Sequence, residues 1–287
     1  MTSVAGRRRM QRVTPTGAGL VLLAPFVAFA LLPGVFAPYG PYDIVNIPLL
    51  GPSANHLLGT DEIGRDLLSR VVFASRNDLL VSIMSAGVAF TLGTVFGLLS
   101  GYIGGIFDTF SMRTVDVFLS FPTIVMALFL ITVFGRETWV QVLAIALVMT
   151  PSTARFARGE GLVLRSRGYV EASKVSGGGR LHILFRHLLP NAMPTLLVAA
   201  SVLASAAVLI AASLSYLGLG AQPPTASWGN ILRSAYGVVY DAPLFGIGPG
   251  IAISVVAGAY VLIGEGIRRR FHTDRNTALI SRSVGRV

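Results

Sequence analysis

The sequence predicts an all-α integral membrane protein with six transmembrane helices and a polar loop on the cytoplasmic side. Hydrophobic residues make up 53% of the chain and charged residues only 13%, whereas soluble domains contain about 25% charged residues. The mean hydropathy is +0.70. Charged residues are also missing from six intervals that approach the ~17–25 residues a helix needs to cross a bilayer. These observations exclude an ordinary soluble domain.

The six charge-free intervals give the order of the predicted spans. They are 13–42, 79–107, 117–135, 138–154, 187–232 and 242–264. The fourth is the shortest, and we expect Arg155 and Arg158 to extend it by reaching for the membrane interface. The fifth is too long for one crossing, so we place a helix at 193–217 and an external loop at 218–228.

The basic residues predict the orientation. With a cytoplasmic N-terminus, 18 of the 23 Lys and Arg residues fall on the inner side, as expected because inner loops are enriched in positive charge. Both termini are therefore expected in the cytoplasm of a multi-pass protein. The N-terminal tail carries Arg7, Arg8, Arg9 and Arg12. The following apolar run has no clear small-residue cleavage site, so we interpret it as a retained span rather than a signal peptide.

The external segment before the second span contains residues 56–76. These residues predict an amphipathic helix on the membrane surface, with Leu67, Leu68, Val71 and Val72 on its apolar side. His56 with Asp61 and Glu62 is conceivable as a metal site. A polar loop leading into a helix is the simpler interpretation, and we favour it.

Small residues and prolines predict how the spans pack. Gly93, Gly97 and Gly101 recur every four residues in the second span, which lets another helix approach closely. Pro122 and Pro151 are expected to bend the third and fourth spans, either as structural kinks or as hinges. Trp228, after the fifth span, is expected to anchor at the membrane interface.

A polar, basic stretch at 169–194 interrupts the apolar pattern. Residues 169–175 are expected to form a short helix, Gly177 to Gly179 to break it, and residues 181–189 to resume it. Two short helices at an angle would make a knob that fills a groove on a partner.

This stretch resembles the EAA loop of the membrane subunits of ABC importers, where the ATPase subunit docks. The resemblance rests on Glu171-Ala172-Ser173, on Gly177 and on Leu188-Leu189-Pro190. Segments 56–76 and 213–232 resemble the dipeptide and oligopeptide branch of these permeases. The resemblance implies a type I importer fold and assigns ATPase docking to Glu171, Ala172, Ser173, Gly177, Arg180, Arg186 and Pro190.

Two features depart from the family pattern. Ser173 stands where the family has Ala, which is a small change on a packed helix. Gly178 and Gly179 lengthen the glycine break, and three glycines are expected to loosen the angle between the two short helices.

The resemblance also implies the domains and the partners. Residues 1–78 hold the tail, the first span and the external segment, residues 79–270 hold a five-helix permease core with its coupling loop at 169–190, and residues 271–287 form a polar tail. The implied partners are a second, related permease subunit, two cytoplasmic ATPase subunits and an external substrate-binding protein in the bacterial inner membrane.

The chain is not expected to be an enzyme or to hold a cofactor. A P-loop ends in Gly-Lys-Ser/Thr, but Lys174, which is the only lysine, follows Ser173. ATP and magnesium are therefore expected in the partner subunits, and no catalytic residue or metal site is assigned. The net charge of +10 does not indicate nucleic-acid binding, because the charges lie at the ends of apolar spans.

Two other functional classes fit the sequence less well. A membrane hydrolase would need catalytic side chains in the bilayer, but all four histidines fall outside the predicted spans. An independent channel or carrier would have no use for a docking loop. Within the importer class we expect di- and oligopeptides as substrate, with nickel chelates or glutathione as the alternative.

Overall fold

The computed structural model describes residues 14–222 and 224–284, with side chains described as far as Phe271. The described residues form helices joined by irregular segments, the longest of which is 37–66, and their only β-structure is two isolated bridges, Ile44 with Arg65 and Thr60 with Asp66. The all-α prediction is confirmed for this part of the chain. The basic tail at Arg7, Arg8, Arg9 and Arg12 lies outside it.

Eleven helices and one π-helical turn are found in the described ranges. They are α1 (Pro15–Leu31), α2 (Pro33–Phe36), α3 (Leu67–Ile103), α4 (Gly105–Leu119), α5 (Thr123–Phe134), α6 (Thr138–Leu164), α7 (Gly168–Val175), α8 (Arg180–Ile183), the π-helical turn (Leu184–Leu188), α9 (Leu189–Tyr216), α10 (Trp228–Gly237) and α11 (Ile247–Val284).

Four helical stretches in the described residues are long and apolar enough to cross a bilayer. They are Leu67–Ile103, Thr138–Leu164, Arg180–Tyr216 and Ile247–Phe271. A fifth crossing is available if α4 and α5, which meet at an angle of 85°, act as one broken span. The apolar helix α1 has 17 residues. The multi-pass prediction is therefore confirmed.

The second span begins earlier than its charge gap indicates. Asp66 caps α3 by accepting a hydrogen bond from the N–H of Ser69 at 2.8 Å, and the helix runs unbroken to Ile103. Leu67, Val71 and Val72 are buried inside the protein. The prediction of an amphipathic helix lying on the membrane surface is therefore wrong, because protein rather than lipid covers its apolar side.

The third span is broken at Pro122, where the sequence predicts a bend. Residues 117–135 are divided between the end of α4 and all of α5, with the break just before Thr123. Pro122 has no N–H to donate and pushes the preceding residue out of helical geometry. The predicted bend at Pro122 is confirmed, while α6 continues through Pro151.

α6 extends past Arg155 and Arg158, as predicted. The two side chains are accommodated by contacts within the protein and not only by contact with the membrane interface. Arg158 binds Asp108 of α4 through Nε and Nη2, each at 2.6 Å. Arg155 forms an ion pair with Asp116 of the same helix. Carboxylates more than 35 residues away along the chain therefore compensate these charges.

The predicted glycine stripe packs α3 against α6. A Cβ atom on Gly97 would lie 2.2 Å from the carbonyl oxygen of Ala154, and one on Gly93 would lie 2.6 Å from Cβ of Thr153. Gly101 faces the backbone of Arg158 in the same way. Close approach of the two backbones replaces side-chain contact, as in membrane helix pairs with small residues.

The last two helices differ from the predicted boundaries. The predicted loop at 218–228 ends where α10 begins, and Ser227 and Asn230 form a capping box there. α11 begins at Ile247 and its backbone stays helical to Val284, so the predicted polar tail at 271–287 starts within a helix. The side chains after Phe271 lie outside the described part of the structure.

Candidate coupling loop and transport cleft

The coupling loop, residues 169–190, begins with α7 and a tight helix end. The N–H of Gly178 binds the carbonyl of Ser173 at 2.8 Å, and the N–H of Gly177 binds that of Lys174 at 3.0 Å. These two bonds form a Schellman motif, which ends a helix with a residue of positive φ at the position of Gly177. Gly177 has a φ of +80°. The predicted glycine break is confirmed, and its hydrogen bonds give it a defined geometry instead of the loose angle expected from three glycines.

The second half of the coupling loop is not a separate short helix. α8, the π-helical turn and α9 form one helical stretch from Arg180 to Tyr216. Pro190 cannot donate a backbone hydrogen bond, and the side chain of Asn191 donates to the carbonyl of His187 at 2.6 Å. A missing N–H of this kind disturbs the α-helical ladder. The predicted knob of two short helices is wrong in its second half, because that half is the end of a membrane helix.

The inward side of the coupling loop is anchored in the helix bundle. Val170, Ile183, Leu184 and Leu188 are buried. They share one apolar cluster with residues of α3, α6 and α9, namely Leu98, Tyr102, Ala157, Leu164, Ala192 and Leu196. A displacement of the loop therefore has to be transmitted to three long helices, because interiors of this density do not deform freely.

A charged contact adds to this anchor. The ammonium group of Lys174 lies 5.0 Å from the centre of the Tyr102 ring. This cation–π distance joins α7 to the last turn of α3.

Most of the residues predicted to dock an ATPase lie on the outward side of the loop. Glu171, Ala172, Gly177, Arg180, Arg186 and Pro190 are exposed, and Ser173 is half-buried. Sequence reasoning missed three exposed apolar neighbours, which are Val175, Leu181 and Phe185. Val175 is 89% exposed. Their sequence position could have indicated them, because apolar residues among polar ones on a loop with a family motif are candidates for contact with a partner.

A cleft of about 920 Å³ opens between α6 and α9. Its walls are mainly apolar and include Phe90 of α3 and Phe271 of α11. Polar side chains line the cleft at six positions, which are Thr123, Ser152, Thr153, Asn191, Thr195 and Arg268. Asn191 follows Pro190 directly, so the cleft begins next to the coupling loop.

The opposite end of α3 meets α10. Trp228 is fully buried, its Nε1 donates to the carbonyl of Val71 at 3.1 Å, and its backbone N–H donates to Asp78 at 2.6 Å. The prediction that Trp228 anchors at the membrane interface is therefore wrong. Val71 and Tyr102 are 31 residues apart on α3, about 46 Å at 1.5 Å per residue. This distance exceeds the ~30 Å hydrocarbon thickness of a bilayer. The contacts of α3 with α10 and with α7 therefore lie at opposite ends of a helix long enough to cross the membrane.

The external segment is held by buried charge pairs. Asp61 accepts from Arg65 Nε at 2.6 Å and from Arg70 Nη1 at 2.5 Å, while His56 binds Asp66 at 2.9 Å. Glu62 accepts a hydrogen bond from Ser234 of α10 at 2.8 Å. The side chains of His56, Asp61 and Glu62 therefore contact different partners. The described residues contain no group of three or more potential ligands that could hold an ion.

The charge pairs set the ionisation of Asp61. Burial alone would raise the pKa of this carboxyl. The backbone N–H groups of Arg65 and Ile63, the Arg65 side chain and the positive charge of Arg70 outweigh it, and the pKa of Asp61 lies below its ordinary value of 3.8. Asp61 is therefore a stable anion in the external segment at neutral pH.

A multi-pass helical bundle with an anchored, outward-facing loop defines a class of membrane transport subunits. The model of the binding-protein-dependent transport system inner membrane component family matches residues 93–275. This chain belongs to that family.

Relatives align over most of their length. The chain is 39% identical to the probable D,D-dipeptide transport system permease protein DdpC of Escherichia coli strain K12, over 86% of this chain and 85% of that protein. It is 38% identical to the glutathione transport system permease protein GsiD of Pectobacterium atrosepticum, over 91% and 87%. It is 34% identical to the dipeptide transport system permease protein DppC of Alkalihalophilus pseudofirmus, over 87% and 83%.

Proposed function

We propose that this permease forms one half of a path through which an ATP-driven importer moves di- and oligopeptides. In this proposal the coupling loop receives motion from a cytoplasmic ATPase subunit. The main support for this proposal is that one side of the coupling loop is buried in the bundle while the other side is exposed. Val170, Ile183, Leu184 and Leu188 tie the loop to the bundle, while the motif residues and three apolar side chains face outward.

The proposed topology has six crossings. α1, α3, the bent pair α4 and α5, α6, the helix ending in α9, and α11 each cross once, with both termini in the cytoplasm. The excess of basic residues on the inner side supports this orientation. It also separates the coupling loop from α10, in keeping with their contacts at opposite ends of α3.

The proposed mechanism is mechanical. ATP binding draws two ATPase subunits together, and each docked coupling loop moves with its subunit. The helices anchored to the loop then change between inward-open and outward-open packings. Only a difference in ATPase binding between these two states can drive the change.

The cleft between α6 and α9 is proposed as this chain's share of the path. A second permease subunit would close the open side, an external binding protein would deliver the substrate, and the ATPase subunits would hold ATP and magnesium. A few polar side chains in a mainly apolar wall suit a path that releases a polar peptide without holding it tightly.

Peptides are the favoured substrate because relatives with peptide-transport names align over most of the chain. Glutathione is the alternative, since the permease from Pectobacterium atrosepticum aligns equally well. Nickel chelates are the other alternative substrate inferred from the sequence.

Uptake into liposomes tests the proposal. Vesicles would contain this chain, its partner permease and both ATPases, with the binding protein outside and labelled peptides as substrate. ATP-dependent peptide accumulation is expected. Active ATP hydrolysis without peptide uptake would redirect the search to glutathione or nickel chelates, and failure of the ATPases to associate would refute the docking role.

Gly177→Val tests the loop directly. Valine at φ +80° is strained, so the helix end should change and ATPase co-purification and uptake should be lost. Gly135→Val is the matched control, because Gly135 has a φ of +105° and its Cβ position is also open, but it lies at the other end of α6. Equal loss in both variants would indicate general misfolding.

Glu171→Arg tests the charge of the docking surface. A reversed charge should repel a basic residue of the ATPase and weaken co-purification while the subunit still inserts. Glu137→Arg, an exposed reversal just before α6, is the control and should bind the ATPase normally. Unchanged ATPase recovery with Glu171→Arg would remove this residue from the docking surface.

A further inference from the structure

A groove of about 700 Å³ lies beside α4, at the end of α6 that leads into the coupling loop. We call it the arginine groove, since Arg113, Arg158 and Arg165 line it together with Asp108, Ile106 and Phe110. Gly104, between α3 and α4, and Gly105, the first residue of α4, form another part of its wall. This groove is separate from the cleft between α6 and α9 and plays no part in the proposed docking.

The arginine groove carries an excess of positive charge. Asp108 is its one carboxylate, and both oxygens are engaged, by Arg158 at 2.6 Å and by the hydroxyl of Ser100 at 2.6 Å. Arg158 is thereby neutralised. Arg113 and Arg165 leave two positive charges in the lining.

Neither of these two arginines has a close carboxylate partner at hydrogen-bond distance among the described contacts. Arg113 is 80% exposed and lies 3.9 Å from Asp116, which forms an ion pair with Arg155. Arg165 donates one hydrogen bond, to the carbonyl of Gly101 at 3.4 Å. A guanidinium group has five N–H donors, so most donors of both groups remain available to an anion.

The rim of the arginine groove is apolar. Ile106 is 89% exposed and Phe110 is 74% exposed, and both belong to the lining that contains the arginines. These apolar side chains would add no binding free energy for a dissolved inorganic anion. An amphiphile with an anionic head and apolar chains would contact both parts of the groove.

We propose that the arginine groove binds the phosphate headgroup of an anionic phospholipid. Arg113 and Arg165 contact the phosphate, and the acyl chains lie along Ile106 and Phe110. Basic pockets between membrane helices on the cytoplasmic side suit such headgroups. The bound lipid bridges α4 and α6 close to the coupling loop.

Native mass spectrometry of the complete transporter in a neutral detergent tests this site. The complex would be titrated with dioleoyl-phosphatidylglycerol, with dioleoyl-phosphatidylcholine and inorganic phosphate as separate probes. Retention of phosphatidylglycerol in preference to phosphatidylcholine is expected. Arg113→Gln with Arg165→Gln should weaken that retention about 25-fold, roughly five-fold per arginine near a membrane surface.

Arg136→Gln is the matched control. Arg136 is exposed and lies just before α6, at the opposite end of that helix from the arginine groove, and its variant should retain phosphatidylglycerol like the original chain. Equal retention of the two lipids, or full occupancy by inorganic phosphate, would overturn the proposal. Loss of ATPase subunits from the double variant with unchanged lipid retention would assign the groove to protein contact. The readout is bound lipid mass, so it stands even if peptide uptake fails.

Discussion

The carboxylate of Asp78 in α3 accepts a hydrogen bond at 2.6 Å from the backbone N–H of Trp228, which begins α10. These residues are 150 positions apart, and both are buried. The first N–H groups of a helix have no partner within it. Asp78 supplies one and ties α10 to α3 at the end of the bundle away from the coupling loop.

Asp78→Ala is expected to loosen α10. The substitution leaves the N–H of Trp228 buried without an acceptor, which costs about 1–3 kcal/mol. Hydrogen exchange should report faster exchange across α10 and little change in the coupling loop. Asp78→Asn keeps an acceptor oxygen and should retain most of the protection, so equal exchange in both variants would argue against the hydrogen bond.

Asp61→Asn is expected to destabilise the external segment. The neutral amide leaves Arg70 buried without its charge partner, and breaking a buried pair costs roughly 3–5 kcal/mol. Protection of amides in residues 44–66, normalised for intrinsic exchange rates, should fall at neutral pH. Asp43→Asn, at an exposed carboxylate, should leave that protection unchanged.

The same carboxylate predicts a pH profile for the external segment. Its folded pKa lies below the ordinary value of 3.8, so the stabilisation is fully present above about pH 4 and is lost as the pH falls through the folded value. Protection of residues 44–66 should therefore be flat from pH 8 to 5 and decline below pH 4. Asp61→Asn should lack this component of the decline, and an identical profile would refute the assignment.

Gly97→Ala is expected to push α3 away from α6. The added Cβ would lie 2.2 Å from the carbonyl oxygen of Ala154, and overpacking of this kind costs about 1–3 kcal/mol. A lower Tm of the purified complex should result. Gly87→Ala, in the same helix with open space around its Cβ position, should not lower the Tm. A Tm that is unchanged by both variants would mean that α3 and α6 do not pack as found.

Leu181→Ala with Phe185→Ala should weaken ATPase binding at least ten-fold. Both side chains are exposed on the coupling loop, and full burial of each apolar side chain at an interface contributes about 1.5–3 kcal/mol. Affinity of the solubilised permease pair for the ATPase subunits would be measured by titration. Tyr240→Ala, which truncates a side chain that is 98% exposed outside the loop, is the control. Equal affinity in all three proteins would exclude these side chains from the interface.

The coupling loop shows how far local sequence signals reach. Gly177 was predictable because a helix that ends in glycine uses a local hydrogen-bond motif. The continuity of α8 with α9 was not, since the glycines and Pro190 suggest separate short helices. Burial of Ile183, Leu184 and Leu188 against α3, α6 and α9 keeps that stretch helical.

The charge gaps located the spans but not their ends. A charged side chain in a membrane helix is costly when it stands alone, so long intervals without charges predict crossings. Arg70 and Arg158 extend the helices beyond those intervals because Asp61 and Asp108 bind them from other elements. Arg158 and Asp108 are 50 residues apart, so no single charge-free interval and its flanks contain both.

The sequence by itself determined the class of protein, the positions of the apolar helices, the glycine contact face and the glycine break in the coupling loop. Each of these depends on composition or on residues close together in the chain, where helix periodicity and glycine geometry act. The tertiary structure alone decided the burial of Trp228 against α3, the exposure of apolar side chains on the coupling loop and the arginine groove. Those features depend on which distant residues come into contact and which side chains stay exposed, and that is decided only when the helices pack.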